Sequence, residues 1–265
     1  MTDPDALARI HTFERSVQEK LAERTVESRW GTYFFNDTFN RIWDLNGLRV
    51  MGYPDGIEVE AVRSEAEGMA EAEKRTPKLY VEEGALASEL APGLTAAGWS
   101  TSRFMHMVHR GALPEEIEGP RVEQVSWGTL RPLVLESTGR QPYAQDPEDR
   151  RQLVDRVTAL ADALTVVFFM GYADGVPASY CHLYSDGDTA QIEEVATLSE
   201  YRGRGLATVV VAQAMSYAAA AGHDFIYLVA DADDWPKDMY AKLGFEPVGY
   251  SQDFYKRKEG KLTNV

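Results

Sequence analysis

The stretch "TLSEYRGRGLATVVVAQAM", residues 197–215, decides how this chain is read. An Arg-Gly-Arg-Gly core lies between a segment of strand character and a run of helical character. Glycines at such a junction let the backbone approach a ligand closely. Successive N–H groups at the positive end of a helix dipole then favour a phosphate. A Walker A loop ends in Gly-Lys-Ser/Thr, a tripeptide this sequence lacks. A dinucleotide fingerprint fits partly: Gly203 and Gly205 match its first two glycines, and Asp231 lies near the end of the next strand. Its third glycine position is Thr208, however, and hairpins rather than a βαβ series precede the loop. A third reading is a loop whose amides hold a pyrophosphate without a catalytic lysine.

Working outward, "TVVFFMGYADGVPASYCHLYSDGDTAQIEEVATL" reads as three antiparallel strands, with "ADG" and "SDGD" supplying turns that tolerate positive φ. Beyond the helix, stopped by Gly222, come the buried strand "DFIYLVA", a short helix in "DDWPKDMYAKL" and a final strand in "EPVGYSQDFYKR". Upstream lie the strand "RVEQVS" and helices in "GTLRPLVLEST" and "DPEDRRQLVDRVTALADAL". The Pro-, Gly- and Glu-rich "GALPEEIEGP" reads as a linker. Before it, residues 5–24 have the spacing of a surface helix. Aromatic-rich strands follow, then a helix, the strand "KLYVEE", a helix broken near Pro92, and the alternating strand "STSRFMHMVHR". "KLYVEE…ALASELAPGLTAAGW" echoes "FIYLVADADDWPKDMYAKLGF", which suggests two related halves.

The loop Arg202-Gly203-Arg204-Gly205-Leu206-Ala207 resembles the acetyl-CoA loop of the GCN5-related N-acetyltransferase (GNAT) superfamily, Gln/Arg-x-x-Gly-x-Gly/Ala. "VATLSEY", "DFIYLVA" and "MYAKLGF" extend the resemblance, which covers about residues 121–257. It implies a mixed α/β acyl-CoA N-acyltransferase (GNAT) fold, with a degenerate GNAT-like domain over 1–112, a linker over 113–120 and a GNAT domain over 121–265. It also implies that backbone groups of Thr197 and Leu198 meet the acetyl end of acetyl-CoA, and that amides from Arg202 and Gly203 through Thr208 bind its pyrophosphate. Asp233 falls where the family usually has an Asn beside the pantetheine arm, a departure that keeps an acceptor and loses a donor. Tyr240 matches the family's general acid for the thiolate, and a phenol with a pKa of about 10 suits a leaving thiolate of similar basicity.

An ammonium cannot attack a thioester, so acyl transfer also needs a base. Glu193 and Glu194 are adjacent on the strand before the loop, and strand alternation puts them on opposite faces. The one facing the substrate groove serves as base directly or through water, and the other is expected at solvent. Cys181 and His182 read as a core thiol and a half-exposed imidazole. His106 and His109, three apart in a strand, face opposite ways and make no metal pair; His223 follows a helix stop. No metal is expected. Trp30, Phe34, Phe35 and Trp43 read as core, with the alternative of lining a groove between halves.

Composition bounds the rest. The chain has 265 residues, 44% hydrophobic, 26% charged, with a formal net charge of −15 and one cysteine. Such a balance argues against nucleic-acid or anionic-membrane surfaces and is compatible with a cationic acceptor or with simple solubility. No run approaches the roughly 18 apolar residues of a membrane span, and one cysteine fits a reducing cytoplasm. The expectation is a cytoplasmic N-acetyltransferase, monomer or homodimer, using acetyl-CoA on an amine of a small molecule or peptide. Alternatives are a non-catalytic CoA-binding module and a transferase of another acyl group.

Overall fold

The computed structural model describes residues 3–51, 56–82, 84–113 and 118–256. Helix α1 (Pro4–Leu21) starts the chain, with the Asp3 side chain capping the Ala6 N–H at 3.1 Å. Strands β1 (Arg24–Ser28), β2 (Gly31–Phe35) and β3 (Gly47–Val50) then run antiparallel. Helix α2 (Val59–Ala72) leads to β4 (Lys78–Val81), parallel to β3, and α3 (Gly84–Ala96) leads to β5 (Ser100–His109). Pro92 lies inside α3 without breaking it, contrary to the expectation from sequence. The carbonyl it cannot bond is that of Ser88, an exposed residue on the solvent side of the helix.

The second half opens with β6 (Val122–Val125), α4 (Trp127–Gly139) and α5 (Pro147–Ala163). It then repeats the same order: antiparallel β7 (Thr165–Ala173), β8 (Val176–Asp186) and β9 (Thr189–Thr197), helix α6 (Leu206–Ala220), a parallel strand β10 (Phe225–Asp231), helix α7 (Pro236–Lys242), and β11 (Phe245–Tyr255).

The two halves form one sheet of eleven strands, in the order β1-β2-β3-β4-β11-β5-β10-β9-β8-β7-β6. Their last strands are exchanged. β5 of the first half pairs antiparallel with β10, whereas β11 of the second half pairs antiparallel with β4. The long β5–β11 ladder, from His109↔Phe245 to Ser100↔Tyr255, stitches the two together. Of the segment between the halves, residues 114–117 lie outside the described residues; Gly111 N–H bonds Gly244 O at 3.3 Å, and Leu113 packs on the second half's core.

Side-chain alternation gives the sheet two coats. On one face α6 and α7 cover Met107, Leu183, Ile192 and Leu228, while α2 and α3 cover Leu48, Leu79 and Phe254. On the other face α1 and α5 pack over Val108, Tyr184 and Tyr227, and α4 over Phe168 and Tyr180. Burying Ile10 and Phe13 of α1 contributes roughly 1.5–3 kcal/mol per side chain, enough to hold this helix as a lid over the centre of the sheet.

Candidate active site

Beneath α1, α4 and α5, over the central strands, lies a cavity of about 500 Å³ lined by both halves. The first half contributes Glu14, Arg49, Lys78, Glu82 and His106; the second contributes Arg156, His182, Glu193 and Glu194, together with Asp253 of the exchanged β11.

The two glutamates of β9 both line this cavity, which corrects the expectation that one of them faces solvent. The reason is a bulge. Tyr180 of β8 opposes Ala196 and His182 opposes Glu193, so Cys181 faces two residues, and Glu194 takes φ 55°. Alternation stops there for one residue, so Val195 packs on the α6 side while Glu193 and Glu194 point into the cavity.

Their environments differ. Burial pushes the Glu194 carboxyl up, but the Arg156 guanidinium, which donates to it, more than offsets this and holds it below the usual range. Arg156 also reaches Asp44 at 3.5 Å. Glu193 accepts from the Gln191 side chain, and among the described residues it has no Lys or Arg partner. Burial and the neighbouring Glu194 charge raise its pKa to about 7. A carboxylate poised there takes a proton from an amine far more readily than one at an ordinary pKa.

The cavity's other charges are largely matched within it. Lys78 pairs with Asp44 and with Asp253 at 3.0 Å, and Glu82 accepts from Arg49 and from Arg15 Nε at 3.0 Å. His182 is 2% exposed, not half-exposed as expected. Its Nδ1 lies 3.2 Å from the Tyr184 hydroxyl, its Nε2 has no partner among the described residues, and burial lowers its pKa to about 4, so the ring is neutral. Cys181 is a buried thiol donating to Val210 O at 3.4 Å, as a core thiol should. Trp43 lines the cavity, whereas Trp30, Phe34 and Phe35 are core.

At the C-terminal end of β9 the chain enters the glycine loop. Gly203 and Gly205 have φ of 75° and 77°, and a Cβ at either would meet nothing within 4 Å. No close packing demands glycine there; the left-handed backbone does, and the space outside is open. Gly205 is the N-cap of α6 and brings no side chain to its first turn. The first N–H groups of a helix have no intrahelical partner, which leaves those of Leu206, Ala207 and Thr208 at the helix start next to these two glycines. Arg202 Nε donates to Thr197 O at 3.3 Å, and Arg204 pairs with Asp174 at 3.0 Å. The loop thus fits an anion through backbone amides and the helix dipole, with its arginines fastened to the rim.

Between loop and cavity the sheet opens. β9 and β10 pair only as far as Ile192↔Leu228, leaving the later residues of β9 without that neighbour. Leu198 N–H donates to Ala178 O at 2.9 Å, so this amide is taken by β8. Because antiparallel ladders alternate, the Thr197 backbone, paired with Ser179 one step earlier, faces the opening instead. Tyr240 lies on the α6–α7 face, packed in the core at 7% exposure, with burial foremost and then the Glu193 charge pushing its phenol up. Asp233 is exposed just beyond β10, its N–H bonded to the Asp231 carboxylate at 2.8 Å. Among the described residues no group of three or more His, Cys, Asp or Glu is arranged to hold a metal ion.

The Acetyltransferase (GNAT) family model matches residues 131–245, which hold the glycine loop, the bulged β9 and Tyr240. Residues 131–245 are a GNAT domain. The uncharacterized N-acetyltransferase CgeE of Bacillus subtilis (strain 168) is 34% identical over 85 residues, spanning 31% of this chain and 33% of CgeE's length. The fold is that of solved GNAT proteins. A GCN5-related N-acetyltransferase from Kribbella flavida superposes with a TM-score of 0.64 at 18% identity, over 95% of both chains. A tandem GNAT protein from the clavulanic acid biosynthesis pathway superposes at 0.54 and 17% identity, over 79% of this chain and 74% of that one.

The GNAT glycine loop, β9 and the alternative that Trp43 lines a groove between the halves were legible in sequence; Glu14, Arg156 and the charged first-half wall of Arg49, Lys78 and Glu82 were not. Glu14 lies in an amphipathic helix whose charges look like a solvated face, and its only hint is position: it sits among the apolar residues Ile10, Phe13 and Val17.

Proposed function

We propose that the chain is an acetyl-CoA-dependent N-acetyltransferase acting on an amine of a small, cationic acceptor held in the cavity. One observation carries this reading. A cavity-lining, half-buried carboxylate without a Lys or Arg partner among the described residues sits midway along the bulged strand β9, and an open glycine-capped helix terminus follows the C-terminal end of that strand. The first is suited to an ammonium and the second to a pyrophosphate. The amides from Gly203 to Thr208 would hold the pyrophosphate of acetyl-CoA, with Arg202 and Arg204 bracing the loop. The Thr197 N–H would orient the thioester in the gap between β9 and β10, its carbonyl already accepting from Arg202, and Asp233 would flank the pantetheine arm.

The chemistry then needs only this chain's groups. Glu193 removes one proton from the acceptor ammonium, and the freed nitrogen bonds to the acetyl carbonyl carbon as the carbon–sulfur bond breaks. Tyr240, kept protonated by burial, gives its proton to the departing thiolate and regains one from the nitrogen through solvent. The products are the amide and the free thiol, with one proton released. Glu194, fixed by Arg156, stays ionised and helps keep Glu193 near pH 7. We further propose that residues 1–112 are a GNAT-like unit without a CoA loop, joined through 113–120 to the GNAT unit at 121–265, and that it walls the acceptor site. No helix of the described residues is long and apolar enough to cross a membrane, and buried Cys181 suits a reducing compartment; we place the protein in the cytoplasm.

The test is acetyl-CoA consumption over a panel of amines, with the wild type and Tyr240→Phe. Amine-dependent thiol release that Tyr240→Phe slows while CoA binding persists supports the reading. No turnover with any amine and no CoA binding by calorimetry would sink it.

A further inference from the structure

Resting on that reading, we propose that the acceptor carries two cationic nitrogens, one acetylated beside Glu193 and the other held by a second subsite built from Glu14 and His106 of the first half.

Three observations converge on this subsite. Glu14 of α1 lines the cavity and, among the described residues, forms no ion pair with any Lys or Arg. Its nearest basic group is His106 Nδ1, at 3.6 Å. His106 is 1% exposed and lines the same cavity, and its Nδ1 has no hydrogen-bond partner among the described residues. Its other nitrogen, Nε2, lies 2.9 Å from the Ser251 hydroxyl. With Nε2–H donating to Ser251, Nδ1 presents a lone pair beside the Glu14 carboxylate. Burial holds the Glu14 carboxyl protonated up to about 8 in the free protein, and an arriving ammonium favours its ionised form. The carboxylate and the Nδ1 lone pair then converge as two acceptors on a group with several N–H donors and a positive charge. Burial keeps the imidazole neutral, so it does not itself compete for Glu14.

The strand register sets the spacing to Glu193. His106 pairs with Val229 across β5 and β10, and Val229 stands one residue past the Ile192↔Leu228 pair, level with Glu193. His106 and Glu193 therefore sit at the same height, two strands apart, a separation of about 10 Å. Both point into the cavity, whose volume of about 500 Å³ admits a small molecule and no folded partner. The remaining cations and carboxylates of the cavity already pair with one another, which leaves Glu14 and Glu193, among the described residues, as its two carboxylates without a Lys or Arg partner. A short α,ω-diamine, or a compact compound with two amino groups at that spacing, satisfies both.

The experiment compares kcat/KM for putrescine, cadaverine and hexamethylenediamine with butylamine, pentylamine and hexylamine, in the wild type, Glu14→Gln, Glu14→Asp and Asp162→Asn. A diamine has two equivalent amines, so a preference of about two is statistical. The expected preference for the best diamine is about tenfold or more. Glu14→Gln should bring it down towards two, Glu14→Asp should restore part of it, and Asp162→Asn, at an exposed carboxylate that does not line the cavity, should keep it. If Glu14→Gln melts early, His106→Asn carries the same expectation. A wild-type preference near two, or one that survives Glu14→Gln, overturns the proposal. If no amine is acetylated, the transferase reading fails separately. Calorimetric binding of hexamethylenediamine against hexylamine, in wild type and Glu14→Gln, then decides the subsite by the same ratios.

Discussion

Glu193 and Glu194 are neighbours in β9, yet both carboxylates reach one cavity, because Glu194 sits at φ 55° in a bulge. The pair divides its labour by partner: Glu194 has Arg156, and Glu193 has no Lys or Arg among the described residues. Glu193→Gln keeps shape and removes the base, so kcat should fall about 10²–10⁴-fold while CoA affinity stays near wild type. Steady-state rates with calorimetry check this, and an unchanged kcat would assign the proton to water.

The acid limb of the rate should report the same group. Glu193 works deprotonated and titrates at about 7 in the free protein, so kcat/KM for the amine should rise with pH up to that region. A pH profile from about 5 to 9 should show this limb, and Glu193→Gln should abolish it. A limb that persists in the variant would belong to another group.

Stability should run the other way. Burial, more than any other cause, holds Glu14 protonated up to about 8 and Glu193 up to about 7, against 4.5 for a free carboxyl. The folded protein therefore binds more protons than the unfolded chain between about 4.5 and 8, and this contribution to stability is lost as pH rises through that window. Relative to wild type, Glu14→Gln should gain roughly 2–4 °C in Tm between pH 5 and 8.5, measured by calorimetric scans. A constant difference across that range would contradict it.

Arg156 joins the halves by bridging Glu194 of β9 and Asp44 of the first half, with its side chain 23% exposed. Arg156→Met leaves the Glu194 carboxylate without its cation, while Asp44 keeps Lys78, and should cost about 2–4 kcal/mol in urea unfolding. A loss below about 0.5 kcal/mol would mean that water reaches the pair freely.

The CoA loop offers a test on backbone alone. Gly205→Ala introduces no clash in the free protein, yet it strains φ 77° and fills the open space at the α6 N-cap. CoA affinity should drop about tenfold with a Tm change of only a few degrees, about 1–2 kcal/mol of strain.

Much of this was legible in the sequence for a physical reason. Gly203, Gly205 and the Asp-Gly turns are needed for their backbone angles, and such needs are written locally. The exchange of β5 and β11 was not legible, because "STSRFMHMVHR" and "EPVGYSQDFYKR" show the same alternation whichever strand they pair with. Glu194 gave no sign of its bulge, since glutamate carries no preference for positive φ and the irregularity shows only in the pairing of β9 with β8. Glu14 was hidden in an ordinary helical pattern until α1 was seen lying over the sheet.

The central claim, a CoA-loaded GNAT loop serving a carboxylate-lined amine site, is tested most directly by thiol release from acetyl-CoA with the amine panel, run beside CoA calorimetry. The expected result is CoA binding and amine-dependent release with at least one amine, lost in Glu193→Gln. CoA binding with release no faster than hydrolysis for every amine, or equal rates in Glu193→Gln, would contradict it.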